Sequence, residues 1–523
     1  MFWPDRIAED VVEKFGQGRP IIIRDEKTMS GYAHIGSMLS AAMHGVISEA
    51  LSEKGVANTY YFEFNDMDAF DGIPVYLEGK GLEAHLGKSL RDVPAPEGTG
   101  SYAEFFAKDF RGVIEGAGFT PIFDFSSDWY VSGKMDAVIK EAIENADEIR
   151  RIMKEVSGAD RKPGWLPILV KCPQCQKIAT TEASNFDGET VEIHCKPNKV
   201  DYAAGCDYTG RVSPFGGNSK LYWKTEWPAK WKVRSVDVEG AGKDHGTRGG
   251  SHDVASHISE EVFKFPTPLF IPHEFFLVGG KKISSSKGRG STARSIFELV
   301  PSKIFRLSLI GKDIMQQRNF DPEGDSIPVL YDQYDKLALG YRETKDDDYA
   351  RLFEFIHPDR KLPPEDVFLP RFSQIAFLTQ MPHLNIERET ERLKGSPLTD
   401  ADMLELAQRA EYAQYWIQQC APEKFVFTLQ QTLPEAVSSL SHAQKQALKV
   451  LHNFIDVAPG MPSGEEIQQK LHSIKEELEL EPSQLFSALY IAFLGKTYGP
   501  KVGWFLSVLD KQFVLTRLIE ASQ

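Results

Sequence analysis

The sequence predicts a doubly wound α/β domain of the Rossmann type, interrupted by a cysteine-bearing insertion and followed by an all-α region. Near the start, the β-branched run "RPIIIR" leads through a glycine-containing turn into a helical pattern and then into a second strand-like run, "NTYYFEFND". This order is the opening unit of a parallel sheet covered by helices. Four of the five cysteines lie within 172–206, and beyond about residue 300 glycine becomes rarer while helical periodicity dominates.

Composition limits the classes of protein to which the chain can belong. Its 523 residues, of which 41% are hydrophobic and 26% charged, exceed what one core usually supports and predict three or four folded units. The net charge of −15 argues against non-specific coating of nucleic acid, although it is compatible with a local basic groove. No apolar run is long enough for a bilayer and the acidic N-terminus lacks a signal-peptide core, so we expect a cytoplasmic protein without membrane contact.

The first strands and helix place polar residues where ligands bind in this class of domain. The helix is predicted to begin near His34 and to stop at Gly55, because apolar residues recur between them at helical steps. These apolar residues are Ile35, Leu39, Ala42, Val46 and Ala50. The second strand ends at Asp66 and Asp68, whose carboxylates are either partners for a cationic ligand or a strand-end cap.

Later segments have patterns of their own. Residues 85–120 contain proline and glycine clusters and are interpreted as an insertion, whereas "MDAVIKEAIENADEIRRIMKEV" predicts one long amphipathic helix. The run "PTPLFIPHEFFLVGG" is typical of a strand. Both "DADMLELAQRAEYAQYWIQQCA" and "AQKQALKVLHNFIDVA" predict helices of the all-α region, and the sequence has no repeat of solenoid period.

Two short segments have the composition of phosphate-binding sites. The first, "HIGS" (His34–Ser37), stands at the predicted helix N-terminus, where free N–H groups and the helix dipole attract anions and Gly36 permits close approach. Taken alone, it is also compatible with an ordinary turn. The second, "GGKKISSSKGRGS" (279–291), carries four cations among glycines and serines, which is typical either of a solvated surface loop or of a mobile phosphate clamp.

The clustered cysteines predict a metal site. Cys172 and Cys175 form a Cys-x-x-Cys turn that aims both sulfur atoms at one point, and Cys195 and Cys206 supply two more thiolates. A full set of four favours structural over catalytic zinc, since no coordination position remains open. The irregular spacing leaves His194 as an alternative ligand, and reduced cysteines without metal are the alternative to zinc.

Taken together, these segments resemble the class I lysyl-tRNA synthetase family. HIGS and KISSS are similar to the two class I signatures written HIGH and KMSKS, with Ile283 for Met and Ser285 for the usual second lysine, whose charge Lys287 supplies. A serine triplet followed by Lys-Gly resembles the lysine enzyme of that class. The segments "SGYAHIG", "WPAKWK", "GKDH" with "GGSHD", "GGKKISSSKG" and "FLGKTYGPKVGWFLSVLD" resemble that family's segments and come in its order along almost the entire chain.

The resemblance implies that L-lysine is activated with ATP and Mg²⁺ and transferred to the terminal adenosine of tRNA(Lys). It implies as catalytic residues His34, Gly36, Ser37, Lys282 and Lys287. It implies that ATP is bound by His34, Gly36, Gly242, Asp244, Lys282, Ser284, Ser285, Ser286 and Lys287. It implies that lysine is bound by Gly31, Ala33, Trp223, His245 and His273, the last standing where the family usually has tyrosine. Asp66 and Asp68 are candidate anionic partners of the lysine.

The resemblance also divides the chain into domains. These are a Rossmann-type catalytic domain in two halves (1–165 and 221–300), a zinc-binding insertion (166–220), a helical connecting domain (301–390) and an α-helical anticodon-binding domain (391–523). In the last of these, Tyr498, Lys501 and Trp504 form an aromatic and basic group of the kind that stacks on unpaired bases, although core packing is the alternative. No obligate protein partner is evident.

Two other functions are compatible with parts of the sequence. An adenylating or nucleotidyl-transferring enzyme without tRNA would need no helical half, whereas over two hundred residues follow the loop. A non-catalytic RNA-binding relative would be expected to lose His34, Gly36, Asp244 or the loop lysines, and all of these are present. The sequence leaves open which acid pairs with the side-chain ammonium of lysine.

Overall fold

The structure, a computed structural model, describes residues 1–282, 292–343, 348–381 and 384–523. They form two compact units, of which one comprises Met1–Phe320 and Gly340–Lys361 and the other Asp321–Leu339 and Leu362–Gln523. The first unit contains a parallel sheet with helices and the cysteine-bearing insertion, and the second is helical. The predicted fold class is therefore confirmed, while the finer division at residues 165, 220, 300 and 390 stays a prediction.

The described helices and strands have the following bounds. The helices are α1 (Trp3–Phe15), α2 (Ile35–Glu53), α3 (Tyr102–Gly116), α4 (Ser126–Val131), α5 (Asp136–Glu144), α6 (Ala146–Ser157), α7 (Trp223–Arg234), α8 (Ser251–Glu261), α9 (Ala293–Phe297), α10 (Ser302–Ile310), α11 (Ser326–Glu343), α12 (Asp348–Ile356), α13 (Phe372–Leu378), α14 (Ile386–Lys394), α15 (Asp400–Gln419), α16 (His442–Asp456), α17 (Gly464–Glu477), α18 (Pro482–Leu494), α19 (Val502–Ser507) and α20 (Lys511–Ala521). The strands are β1 (Ile21–Thr28), β2 (Asn58–Asn65), β3 (Ile122–Phe125), β4 (Ile168–Val170), β5 (Thr181–Ser184), β6 (Val191–Cys195), β7 (Thr209–Val212), β8 (Ser219–Leu221), β9 (Val238–Gly242), β10 (Leu269–His273), β11 (Phe276–Val278), β12 (Lys281–Lys282) and β13 (Arg318–Phe320).

The central sheet of the first unit is parallel and has the strand order β10-β9-β1-β2-β3. Within it, Ile23 lies opposite Val238, and Thr28 lies opposite Asn65. The predicted first strand, the helix beginning next to His34 and the second strand are all confirmed. Because the strands run in one direction, the segments that follow them meet at one edge of the sheet, where ligands bind in this architecture.

The two faces of this sheet differ in chemistry. On the face covered by α2, Ile23 and Phe62 are buried, and Gly240 lies so close to Met43 of α2 that an added Cβ would approach its Cε to 2.3 Å. On the face covered by α7, Arg24 and Glu63 are buried as well. Strands of a parallel sheet usually bury near-continuous apolar runs on both faces. The charged face below α7 is therefore the unusual one.

The structure corrects one prediction about helices. The predicted single helix over 135–156 is two helices, α5 and α6, because Asn145 leaves helical geometry with φ −105° and ψ 23°. Its side-chain amide donates to Glu141 O at 2.8 Å, the kind of local bond by which asparagine competes with a helix. The interpreted insertion at 85–120 contains α3, whose start is fixed by a capping box between Ser101 and Glu104.

The cysteine-bearing insertion is a small β structure of its own. Antiparallel strands β4 and β8 pair at its base, with Ile168 opposite Leu221. Above them, β5, β6 and β7 form a three-stranded antiparallel sheet. A bridge between Lys88 and Lys177 ties the insertion to the segment after β2.

The second unit consists of helices that begin with well-defined caps. Capping boxes start α15, α16 and α17 at Thr399, Ser441 and Ser463. The predicted helices "DADMLELAQRAEYAQYWIQQ" and "AQKQALKVLHNFID" are confirmed by α15 and α16. In the part of the chain that the structure describes, no helix combines the length and apolar character that crossing a membrane requires.

Candidate active site

The candidate active site lies at the edge of the sheet where β1, β2, β9 and β10 end. β1 leads to residues 29–34 and then to α2, and β2 leads to Asp66. The strands β9 and β10 end side by side, with His273 opposite Gly242. Four segments that are distant in sequence therefore meet at one edge, as the doubly wound prediction requires.

His34 occupies the N-cap position of α2, and its ring lies over the first turn of the helix. The Ser37 N–H donates to His34 O at 3.0 Å. A Cβ added to Gly36 would come within 2.9 Å of both Cε1 and Nδ1 of the His34 ring. Glycine at position 36 is thus needed for the observed ring position, which faces the positive end of the helix dipole.

The start of α2 pairs through the backbone with residues that follow the lysine- and serine-rich segment. His34 forms an antiparallel bridge with Thr292, and the Ala293 N–H donates to Ala33 O at 2.8 Å. Residue 292 directly follows the lysine- and serine-rich segment in the sequence. The structure therefore places Thr292 and Ala293, just after that segment, at the start of α2.

The beginning of the lysine- and serine-rich segment is a hairpin. Strands β11 and β12 pair across Gly279 and Gly280, whose φ angles of 54° and 73° favour glycine. This turn places the backbone of Lys282 in β12, opposite Leu277. The predicted ligands Ser284, Ser285, Ser286 and Lys287 lie outside the described residues.

Gly242 and Asp244 lie together where β9 ends. A Cβ added to Gly242 would approach Asp244 Oδ1 to 2.7 Å, so a carboxylate oxygen lies in the space that a side chain at 242 would need. Because a carboxylate accepts two hydrogen bonds, this pair has the chemistry needed to hold two neighbouring hydroxyl groups of a ribose.

An aromatic wall stands beside this pair and consists of Trp223, Trp227 and His245. The Trp223 and Trp227 rings stack at 5.6 Å with an interplanar angle of 20°. His245 meets Trp223 edge-on at 5.7 Å. Trp223, at the first turn of α7, is 40% exposed, so its ring offers open surface to a ligand. This arrangement suits an aliphatic stem that ends in a cation.

The two acids after β2 point to different surroundings. The Asp66 carboxylate accepts a hydrogen bond from the Ser127 N–H at 2.8 Å and lines a cleft that also contains Arg91. Burial raises the pKa of Asp66 to about 6. Asp68 instead pairs with Lys220 at 2.9 Å and accepts a hydrogen bond from Thr28 at 2.5 Å. The structure thus separates two residues that the sequence grouped together.

The remaining residues predicted to bind lysine lie beside the first helix. His273 shares the α2 face of the sheet with Asp25, is 7% exposed, and has its pKa lowered by burial. Gly31 closely approaches Tyr76, since an added Cβ would come within 2.6 Å of the tyrosine hydroxyl. Ala33 is 2% exposed. His273 is therefore placed apart from the aromatic wall, which lies on the α7 side.

Sequence reasoning missed a buried ion network under α7. Arg24 contacts Glu63 at 2.8 Å and Glu239 at 2.6 Å, and it also pairs with Glu26. Lys230 contacts Glu26, Glu63 and Glu226, and Lys220 contacts Asp68 and Glu226. Although burial opposes its charge, attraction by Glu226, Glu26 and Glu63 raises the pKa of Lys230. The sequence does contain one indication of buried charge: "RDEK" directly follows "III", which is an unusual composition for a strand of a parallel sheet.

The four clustered cysteines lie at metal-binding distance from one another. The sulfur atoms of Cys172, Cys175, Cys195 and Cys206 are all within 4.8 Å of one another, with two contacts of 3.5 and 3.6 Å. Tetrahedral Zn–S bonds of about 2.3 Å correspond to sulfur separations of about 3.8 Å, so the set fits zinc. His194 instead has its Nε2 at 2.8 Å from Asp207.

The C-terminal residues predicted to contact RNA differ in exposure. Tyr498 is 38% exposed, and the Lys496 ammonium lies 5.4 Å from the centre of its ring. Lys501 is exposed. Trp504 is half-buried and meets Phe377 edge-on at 5.2 Å. The tyrosine therefore offers more open ring surface than the tryptophan does.

Comparisons with known proteins cover the whole chain. A family model described as "tRNA synthetases class I (K)" matches residues 1–359, and one described as "Anticodon binding domain" matches residues 377–522. The lysine–tRNA ligase of Methanosarcina barkeri is 31% identical over 99% of this chain and 97% of its own length. The lysine–tRNA ligase 1 of Methanosarcina acetivorans is 31% identical over 100% and 98%, and the lysine–tRNA ligase of Thermoplasma acidophilum is 29% identical over 99% and 98%.

Proposed function

The chain belongs to the class I (K) family of tRNA synthetases, and from that premise we propose that it is a lysine–tRNA ligase. It activates L-lysine with ATP to lysyl-adenylate and pyrophosphate, and then transfers lysine to the terminal adenosine of tRNA(Lys). The observation that carries this proposal is the alignment with lysine–tRNA ligases over 97–98% of their own length. A nucleotidyl transferase without tRNA would not need the matched anticodon-binding part.

The chemistry requires orientation and charge stabilisation more than a protein nucleophile. The carboxylate of lysine attacks the α-phosphorus of ATP, so the protein must align the two reactants and stabilise charge on the phosphoryl oxygens. We assign the phosphate contacts to His34, Gly36 and Ser37 at the start of α2, where the dipole is positive. The ribose belongs to Gly242 and Asp244.

The lysine- and serine-rich segment completes the ATP site in this proposal. Lys282 and Lys287 supply positive charge as pyrophosphate leaves, with Ser284, Ser285 and Ser286 donating hydrogen bonds. The bridge between His34 and Thr292 supports this assignment, because Thr292 directly follows that segment and pairs with the start of α2. Mg²⁺ accompanies ATP and is held mostly by the phosphates.

The amino-acid pocket is assigned to the α7 side of the strand ends. Trp223 and His245 pack against the aliphatic stem of lysine, and acids near the ends of β1 and β2 receive its ammonium. Gly31, Ala33 and His273 approach from the α2 side, where we place the α-amino and carboxylate groups. Asp66 and Asp68 are the acids that sequence reasoning nominates.

We propose structural zinc in the insertion, held by the four clustered cysteines. Such a site stabilises its domain because metal binding contributes folding free energy, and it takes no part in the chemistry. The purified, reduced protein is expected to contain about one zinc per chain, and Cys172→Ser is expected to lose metal together with stability of the insertion. Metal analysis that finds no zinc, with four freely titratable thiols in the native protein, would contradict the assignment.

The helical C-terminal part is proposed to read the anticodon, with Tyr498, Lys501 and Trp504 among its contacts. Its anticodon-binding match supports this role, as does the absence of any need for a helical domain in adenylate formation. The five-part division of the chain, including a connecting domain over 301–390, belongs to the same proposal. We also propose that the enzyme acts in the cytoplasm, where tRNA is charged for translation.

One assay tests the proposed function directly. Exchange of labelled pyrophosphate into ATP is expected to depend on L-lysine, and attachment of lysine is expected to require tRNA(Lys). The assay is run with each of the standard amino acids, with and without tRNA. Exchange that depends on a different amino acid, or that never depends on any, would refute lysine as the substrate.

A further inference from the structure

The ion network under α7 contains more acids than bases. Among the residues that the structure describes, contacts within 4 Å connect the acids Glu26, Glu63, Asp68, Glu226 and Glu239 with the bases Arg24, Lys220 and Lys230. Lys27 lies near both Asp68 and Asp25, and together Lys27 and Asp25 add one charge of each sign. The network therefore has an excess of two negative charges when all its groups are ionised, and a buried excess of this kind attracts a further cation.

The open surface of the network is confined to one end. The side chains of Glu63 and Glu226 are 1% exposed and that of Glu239 is 5% exposed, so their carboxylates are closed to a ligand. Those of Glu26 and Asp68 are 16% and 26% exposed. Among the acids of the network, these two are therefore the ones that a cation from solvent can reach.

Glu26 and Asp68 are connected at the ends of β1 and β2 by two hydrogen-bond donors. Thr28 lies two residues after Glu26 and hence on the same face of β1, and its hydroxyl donates to Asp68 Oδ2 at 2.5 Å. Asn65 lies opposite Thr28 in β2, and its amide donates to Glu26 Oε1 at 2.9 Å. Thr28 and Asn65 thus link the two acids, and both donors hold a carboxylate oxygen in place.

Helix α7 connects the aromatic wall with the two acids. Trp223 precedes Glu226 by three residues in α7, so the two side chains share a face of the helix, and Glu226 contacts the Lys220 that pairs with Asp68. A ligand stem lying along the exposed ring of Trp223 would carry its terminal group towards the acids.

We propose that Glu26 and Asp68 receive the side-chain ammonium of the amino-acid substrate and thereby select a cationic side chain over a neutral one of equal length. This inference rests on the proposed function and decides between the acids near the strand ends. It leaves out Asp66, whose carboxylate accepts the Ser127 N–H and lines the cleft that contains Arg91, outside the ion network.

The test compares two ligands that differ only at the distal end. Binding of L-lysine and of L-2-aminohexanoic acid, which lacks the terminal amino group, is measured by calorimetry on the full chain and on Glu26→Gln and Asp68→Asn. Each substitution is expected to weaken lysine binding by about 10- to 100-fold, because a hydrogen bond to a charged group is lost. Binding of the neutral analogue is expected to change less than about twofold, within the usual effect of a surface substitution.

The controls separate recognition from structural damage. Asp92→Asn removes an acid of similar exposure, 25%, that pairs with Lys171 outside the network, and it is expected to leave both affinities unchanged. Asp68→Asn keeps the test available if Glu26→Gln does not fold, because Asp68 is the more exposed of the two. Equal losses for both ligands, or no loss for either, would overturn the inference. Wild-type protein that binds neither ligand and shows no lysine-dependent exchange would overturn the proposed function, and this inference with it.

Discussion

On the α2 face of the central sheet, β1 and β2 present Ile23 and Phe62, whereas on the α7 face the neighbouring positions carry Arg24 and Glu63. All four side chains are at most 1% exposed. The mainly apolar face supports the helix whose N-terminus is assigned to phosphate, with the buried Asp25 bound to Ser40 and His44 of that helix. The charged face supports the pocket assigned to the amino acid, and it must hold carboxylates ionised away from water.

The two faces of the sheet support their parts of the site differently, one mainly by packing and the other by a buried ion network. Apolar packing and a few polar contacts of Asp25 and His44 fix the position of α2, and the phosphate contacts come from the helix end itself. The ion network costs desolvation energy that its own pairs only partly recover, which makes it a poor source of stability. Its value lies in presenting fixed negative charge at the strand ends.

The largest expected effect is on the stability of the charged face. Arg24→Met removes the cation from the buried Glu239 and leaves Glu63 with Lys230 alone, and breaking such a buried pair costs about 3–5 kcal/mol of unfolding free energy. Ile23→Val, one position away on the apolar face, is expected to cost about 0.5–1.5 kcal/mol. Urea unfolding of both variants measures the difference. Similar losses for the two substitutions would show that the faces do not differ energetically.

The next effect concerns the nucleotide side. Lys282→Ala and Lys287→Ala are each expected to slow adenylate formation by about 2.7–4 kcal/mol, roughly a hundred- to a thousandfold, with little change in lysine affinity. Single-turnover kinetics measures the step, and Ser285→Lys serves as a control that restores the usual family lysine beside the native Lys287. Near wild-type rates for both alanine variants would indicate that the segment is only a solvated loop.

A smaller effect is expected at Asp66, which lies outside the ion network. Its pKa of about 6 in the folded protein exceeds the ordinary value of 3.8, so the folded state holds the proton more tightly than the unfolded chain. Its contribution to stability therefore falls by about 2–3 kcal/mol as pH rises from about 4 to about 6 and stays level above that. Asp66→Asn should remove this decline, as measured by urea unfolding at several pH values. An unchanged pH profile in the variant would contradict the assignment.

The smallest effects are expected in the second unit, which belongs to neither face. Tyr498→Ala removes an exposed ring and is expected to weaken tRNA recognition by about 1–3 kcal/mol, the contribution of one base stack. Lysine and ATP binding should not change. Trp504→Ala is the comparison, because its ring packs on Phe377 and its loss should also lower the unfolding free energy. Aminoacylation at varied tRNA concentration, together with urea unfolding, distinguishes the two. If charging by Tyr498→Ala matches the wild type at every tRNA concentration, the tyrosine has no role in recognition.

Much of the fold follows from local patterns in the sequence. Buried strands and half-buried helices each have a characteristic periodicity of apolar residues. For this reason the sequence correctly predicts the strand in "RPIIIR", the helix after His34 and the second strand. The break at Asn145 was missed because a single side-chain bond to Glu141 O decides it, against an otherwise continuous helical pattern. The zinc prediction rested on cysteine spacing, and the structure adds that all four sulfur atoms converge.

The residues of the candidate site also differ in whether a local sequence pattern predicts them. His34, Gly36 and the cysteine set carry their signals in short segments, so the sequence by itself determined them as candidates, along with the fold class. Only the tertiary structure decided that Asp66 and Asp68 point apart, that His273 lies on the α2 side, and that Glu26 and Asp68 form the open end of an ion network. The physical reason is that charge balance and burial depend on residues from β1, β2, β9 and α7 together, and no local pattern contains all four.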